Sequence, residues 1–463
     1  MGLLAVFLLW LLSLSRAKAS NNNIGVNYGQ LGNNLPSPYL SIELLTKMKA
    51  RHVKLYDANP DILNLLSIRK IQVSVMVPNN EISNIAVNRR AAEEWVRNNV
   101  LPYLPKTKIR YLLVGNEVLS SYSEQGRQMW RDLVPAMQMI KRSLKALNIS
   151  SIKVGTPLAM DVLESTFPPS RGMFRYEIRD NVIIPLLNFL NRTKSFFFID
   201  VYPYFPWSQN PYNISLDFAL FRGGLSIRDP GSALVYTNLL DQMLDSVIFA
   251  MSKLGFSNIP LAISETGWPN SGDIDEPGAN IFNAATYNRN LIQRMTTNPP
   301  LGTPARPGVP IPTYIFSLFD ENRKPGPGTE RHWGLLHPDG KPVYEIDLTG
   351  KLAVADFGPL PAPKNNVPYK GRVWCVAVKG ANAMELEAAL TYTCNQSNVN
   401  CDGLAPGREC YEPVSIAAHA SYVFSSYWSK FRSQGATCYF NGLAQQTTSN
   451  PSRGPCKFPS VTL

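Results

Sequence analysis

The sequence predicts an α/β fold: a (β/α)8 TIM barrel followed by a small disulfide-rich domain. Three observations predict it. Eight apolar or β-branched runs recur between Ile24 and Phe319, spaced to leave room for a helix between most of them. No glycine-rich phosphate loop follows the first run, which disfavours an open doubly wound sheet. All six cysteines (Cys375, Cys394, Cys401, Cys410, Cys438 and Cys456) lie in the last fifth of the 463 residues, so a stapled module follows a large domain with a core of its own.

The eight runs are 24–28, 52–56, 71–77, 109–114, 152–156, 196–202, 259–263 and 313–319. Stretches 91–100, 126–147 and 232–254 between them are helix-compatible. Strands alternating with helices imply a parallel sheet, and eight such units imply closure. Pro359, Pro361, Pro363 and Pro368 then stand among Gly, Lys and Asn without an apolar period. The expected organisation is a leader at 1–19, a barrel at 20–349, a stiff linker at 350–372 and the module at 373–463.

Leu3–Leu14 is almost wholly apolar, the length of a signal-peptide core and too short to span a bilayer. Ala17-Lys18-Ala19 offers a cleavage site, so a secreted chain of the extracellular space or cell wall is expected, with the vacuole a weaker alternative. Asn-x-Ser/Thr triplets at Asn148, Asn191, Asn213 and Asn395 suit that route. The net charge of +11 comes without a dense Lys/Arg run, which argues against nucleic acid and for an acidic extracellular matrix. The four histidines form no ligand-spaced set and no cysteine pair has Cys-x-x-Cys spacing, so no metal is expected; no organic cofactor is called for. The chain ends at Leu463 without a hydrophobic tail, so no GPI anchor or transmembrane segment is expected, and the protein reads as a monomer.

Two glutamates stand at the carboxyl ends of apolar strands: Glu117 after the fourth run, behind Asn116, and Glu265 after the seventh. A carboxylate there is costly unless it is hydrogen-bonded or used. Barrel chemistry sits at this rim, and two carboxylates there suit cleavage of a glycosidic bond. Tyr28, Tyr56, Tyr202 and Glu321 fall at the same rim, where a sugar cleft needs aromatic platforms beside polar groups.

These residues resemble the plant β-1,3-glucanases of glycoside hydrolase family 17. The resemblance rests on Ile24–Gly29, on Val114-Gly115-Asn116-Glu117, on Ser264–Pro269 with Trp268, and on Phe319–Asn322 with Lys324 and Glu330. It implies a retaining endo-hydrolase of β-1,3-glucan such as callose. Glu117 would be its acid/base, Glu265 its nucleophile and Asn116 a partner of the sugar 2-hydroxyl. Tyr28, Tyr56, Tyr202, Trp268, Glu321, Lys324 and Glu330 would bind substrate or support the site. The tail resembles the X8 domain, a family 43 carbohydrate-binding module, which implies the pairs Cys375–Cys438, Cys394–Cys401 and Cys410–Cys456. Sequence alone permits fifteen pairings. Ser425 and Trp428 depart from the module's usual Asn and Tyr. Two alternatives share these features: a β-1,3-glucan transglycosylase and a non-catalytic glucan-binding wall protein. Because no cysteine lies in the barrel region, the module is expected to be dispensable for soluble substrates.

Overall fold

The structure, a computed structural model, describes residues 24–396, 399 and 401–463; the expected leader lies outside the described residues. Eight parallel strands form the barrel: β1 (Ile24–Tyr28), β2 (His52–Leu55), β3 (Gln72–Val77), β4 (Lys108–Val114), β5, β6 (Phe197–Asp200), β7 (Leu261–Thr266) and β8 (Thr313–Ile315). Strand β5 is broken at Thr156. Its first piece, Lys153–Gly155, pairs with β4 and its second, Pro157–Ala159, with β6, while β8 pairs with β1, so the ring closes.

Each strand buries both faces. Val26, Val53, Val73, Leu112, Val154, Ile199, Ile263 and Ile315 belong to the main core, together with the residues of the surrounding helices. Met76, Tyr111, Leu113, Phe198, Ala262 and Tyr314 form a separate cluster inside the ring. Small residues make room for its rings: a Cβ on Gly155 would lie 2.3 Å from the Phe198 ring, and one on Gly25 2.5 Å from Tyr314. Two residues beyond Phe198 and Ala262, Asp200 and Ser264 keep the inward face, because side chains alternate with period two, and Lys54 of β2 joins them there through Glu265. The barrel interior is therefore aromatic at one level and polar at the next.

The helices follow the amphipathic spacing of their sequences. Glu124–Ala146 buries Trp130, Leu133, Met137, Ile140 and Leu144 on one face, and Ser123 Oγ accepts from Gly126 N at 3.0 Å at its start. The stretch expected to be helical from 232 begins its helix only at Leu239. Val235–Tyr236 pairs instead with Ile227–Arg228, and Asn238 Oδ1 caps Asp241 N at 2.9 Å.

In the C-terminal module β9 (Arg372–Ala377) lies antiparallel between β10 (Ala444–Thr447) and β11 (Val461–Thr462), against helices Ala383–Cys394 and Ile416–Phe431. Disulfides join Cys375 to Cys438, Cys394 to Cys401 and Cys410 to Cys456. Ser425 and Trp428 are both buried, and Ser425 Oγ accepts from Cys375 N at 3.0 Å, so both pack the module core. The proline-containing stretch is laid on the barrel: Asn280 Nδ2 donates to Lys364 O, Asn283 Nδ2 to Asn366 Oδ1 and Gly278 N to Asn365 O, each at 2.7 Å. The four sequon asparagines are exposed.

Gly155→Ala should lower stability by about 1–3 kcal/mol, because the Phe198 ring cannot yield inside a closed ring of strands. Denaturant unfolding measures it; an unchanged midpoint would mean the inner layer repacks freely.

Candidate active site

The polar level of the barrel leads to its carboxyl-terminal mouth, and there β7 departs from regular pairing. Its register against β6 shifts between Ile263 and Glu265. This bulge turns two successive side chains inward. Ser264 Oγ donates to Asp200 Oδ1, and Glu265 meets Lys54. Glu265 Oε1 accepts from Lys54 Nζ at 2.6 Å and from Tyr56 OH at 2.5 Å, while Oε2 accepts from Tyr202 OH at 2.7 Å. Asn27 Nδ2 donates to Tyr56 OH and to Ser264 O, each at 3.0 Å, which ties β1 into the same network.

Glu117 reaches the site by a different device. Strand β4 carries Tyr111 and Leu113 inward, and Gly115 and Glu117 follow, both with positive φ, 68° and 48°. At Gly115 a side chain would strike Val118 at 2.5 Å and Ile82 at 2.7 Å, so only glycine fits that turn. The left-handed conformation of a glutamate is disfavoured locally and persists only where surroundings enforce it. Here Glu117 N donates to Pro157 O at 3.1 Å, and the Asn79 side chain clasps Asn116 N and O at 2.7 and 3.0 Å.

The two carboxyl groups line one cavity of about 320 Å³, with Asp161, Tyr202, Lys324 and Trp333 among its walls. Their environments drive them apart. Burial pushes Glu265 up, but the Lys54 charge and the three hydrogen bonds outweigh it and hold the carboxyl below its usual range. Burial and then the charge of Glu265 push Glu117 up to about 7, against a partial pull from Lys54. Burial and Glu265 also raise Asp200 well above the ordinary carboxylate range. The site thus holds one carboxylate, Glu265, beside two carboxyls that favour the protonated form.

The structure brings Tyr56, Tyr202, Lys324 and Glu330 to this cavity or to Glu265, and Asn116 Oδ1 accepts from Lys54 Nζ at 3.4 Å. Lys324 Nζ donates to Glu330 Oε2 at 3.3 Å and lies 4.2 Å from the Phe316 ring centroid. Three other expected residues stand back. Tyr28 is buried with its ring edge toward Phe319. Trp268 is fully buried among Tyr204, Trp207 and Tyr287, with Nε1 donating to Gly278 O at 2.9 Å. Glu321 is buried and accepts from Leu31 N at 2.8 Å, which anchors the loop after β1. Lys54 and Asp200 were missed by sequence reasoning. Their signal was a charged residue inside an apolar strand, in His52-Val53-Lys54-Leu55 and Phe197-Phe198-Ile199-Asp200.

A closed parallel barrel with a depressed and an elevated carboxyl in one cavity at its mouth has the form of a glycoside hydrolase. The family described as "Glycosyl hydrolases family 17" matches residues 24–348, and the X8 domain matches 373–445. The chain belongs to glycosyl hydrolase family 17. It is 61% identical over 442 residues to "Probable glucan endo-1,3-beta-glucosidase A6" of Arabidopsis thaliana, covering 96% of this chain and 92% of that one. Glucan endo-1,3-beta-glucosidase 3 of the same plant is 38% identical, at 98% and 88% coverage. Among solved structures, CJP38, a β-1,3-glucanase and allergen of Cryptomeria japonica pollen, superposes with a TM-score of 0.66 at 41% identity, covering 70% of this chain and 98% of that one.

Lys54→Met should raise the pKa of Glu265, since burial then acts without the opposing charge. A depressed carboxyl stays charged until pH falls below its usual range; without Lys54 the charge is lost at higher pH. The acidic limb of kcat/KM should therefore move up by about one unit or more. An unmoved limb would show that Lys54 does not set the charge of Glu265.

Proposed function

We propose that this chain is a secreted, retaining endo-hydrolase of β-1,3-glucans such as callose, with Glu265 as nucleophile and Glu117 as acid/base. The observation that carries it is the opposite treatment of two carboxyl groups in one cavity. Substrate class is supported by the curated relatives, whose names specify glucan endo-1,3-beta-glucosidase. Secretion is supported by three disulfides and four exposed sequons. The division into a barrel at 20–349, a linker at 350–372 and a glucan-holding module at 373–463 belongs to the same proposal, as does a monomeric state.

In the first step a Glu265 oxygen attacks the anomeric carbon, and Glu117 gives its proton to the departing glycosidic oxygen. The carboxyls of such a pair work about 5–5.5 Å apart. Lys54, Tyr56 and Tyr202 keep Glu265 ionised and aimed, and they release its charge as the ester forms. With that charge gone, the second-largest cause of the raised Glu117 pKa disappears. Glu117 then takes a proton from water, whose oxygen attacks the same carbon from the face opposite the ester; the bond to Glu265 breaks and Glu265 leaves as a carboxylate. The new hydroxyl is β, and the proton inventory closes. Asn116 is assigned to the sugar 2-hydroxyl, and the Lys324–Glu330 pair to orienting the cleft.

Incubation with linear β-1,3-glucan should release mixed short oligosaccharides whose new reducing ends are initially β by NMR. Initial α products would overturn retention, single glucose units would overturn endo action, and products longer than the substrate would mark a transglycosylase. Glu117→Ala should cripple hydrolysis of the glucan far more than of an aryl glycoside, whose leaving group needs little protonation. Azide should restore part of the aryl reaction as a β-glycosyl azide. In the wild-type chain activity should fall as pH rises through about 7, where Glu117 loses its proton, and the variant's aryl reaction should lack that limb. Equal losses on both substrates would exclude Glu117 as the acid.

A further inference from the structure

The cysteine-free barrel and the stapled module read as separable in sequence, yet in the structure they share an interface beside the catalytic cavity. Arg432 of the module places Nε and Nη2 on Asp275 Oδ2 at 3.1 and 2.7 Å. Gln446 on β10 accepts from Ile274 N at 2.9 Å and donates to Asp275 Oδ1 at 2.9 Å. Ile274 itself packs against the module core. A second contact lies across the seam: Tyr439 OH donates to Asn322 O, and the Arg331 guanidinium stacks 3.7 Å from the Tyr439 ring centroid.

Both contacts lead to one catalytic-domain segment, 322–331. Arg331 Nη1 donates to Lys324 O at 3.0 Å and to Gly326 O at 3.1 Å, so the group that Tyr439 holds also folds the loop around Lys324. From the other side, Asp273 Oδ2 accepts from Gly328 N at 3.0 Å, and Glu276 accepts from Thr329 N and Oγ1 at 2.9 and 2.6 Å. These acids flank the Ile274-Asp275 pair that Arg432 and Gln446 hold. The loop presents Lys324 and Glu330 to the cavity that also contains Glu117 and Glu265. A segment whose regular structure is one short 3-10 turn, Gly328–Arg331, depends on such anchors for its position.

We propose that the C-terminal module is a structural part of the active site: through Tyr439 and Arg432 it positions the 322–331 loop, and with it Lys324 and Glu330. Tyr439 and Arg432 are positioning residues, acting on substrate only through that loop. Holding polysaccharide is then one of two roles of the module, and the second operates on substrates too short to reach it.

The test uses the full chain carrying Tyr439→Ala with Arg432→Ala, assayed on a short soluble β-1,3-linked gluco-oligosaccharide, a choice that rests on the proposed substrate. Loop misplacement should lower kcat by on the order of ten- to a hundredfold. Tyr439→Phe, which keeps the ring on Arg331, should retain most of it. Hydrogen exchange of amides 322–331, which needs no substrate, should quicken in the double variant. A module that only holds polymer would leave kcat on the oligosaccharide and exchange of the loop unchanged, losing activity on insoluble glucan alone; that result overturns the proposal. A wild-type chain inert on the oligosaccharide would overturn the substrate reading, and the exchange measurement would still decide the brace. If the double variant fails to fold, Gln446→Ala and Tyr439→Ala, taken singly, carry the same comparison.

Discussion

The buried pair of Lys54 and Glu265 is the constraint on which the barrel mouth depends. Neither ion can be taken from water cheaply, and removal of one partner from such a pair typically costs about 3–5 kcal/mol. The structure offsets desolvation by filling both carboxylate oxygens with donors, from Lys54, Tyr56 and Tyr202. Once Glu265 is charged, its field reaches Glu117, Asp200 and Glu321. Glu117 and Asp200 are raised first by burial and then by the charge of Glu265, against a partial pull from Lys54. The cation buried in β2 therefore keeps one of three neighbouring carboxyl groups charged, while burial and that charge raise the other two.

Backbone geometry delivers those groups to one place. A regular β7 would send Ser264 and Glu265 to opposite faces; the bulge sends both inward, one to Asp200 and the other to Lys54. At the end of β4 the turn uses positive φ at Gly115 and again at Glu117. Such distortions are tolerated because neighbouring segments hold the surrounding backbone, as Pro157 does for Glu117 and Asn79 for Asn116. Conformational strain at the mouth and close packing at the base are two sides of one arrangement.

Much of this was legible in the sequence, for reasons of period and punctuation. Eight apolar runs spaced for helices become eight strands, and glutamates at the ends of two of them become the cavity's carboxyls. Tyr28 shows what was decidable but overlooked: it shares the parity of Val26, which faces the helices, whereas Asn27 faces the interior. Tyr56 and Tyr202 have the parity of Lys54 and Asp200 and do reach Glu265. The bulge was not legible, since an extra residue in one strand leaves no trace in composition. Lys54 was hidden by the ordinary expectation that a lysine in a strand points to water. The seam between module and barrel joins residues about 120 to 170 positions apart, beyond any local pattern.

The stretch of chain pinned by Asn280 and Asn283 has a mechanical consequence. A loose tether would let the module sweep a volume around the barrel, and its grip on a polymer would add to catalysis through an effective concentration. A tether lying flat on the helical shell allows no such sweep. A glucan strand held by the module, in the role proposed for it, would then enter the cleft along a set heading. In that role, reach is exchanged for alignment: the module would serve as a stationary guide rail and not as a grappling line.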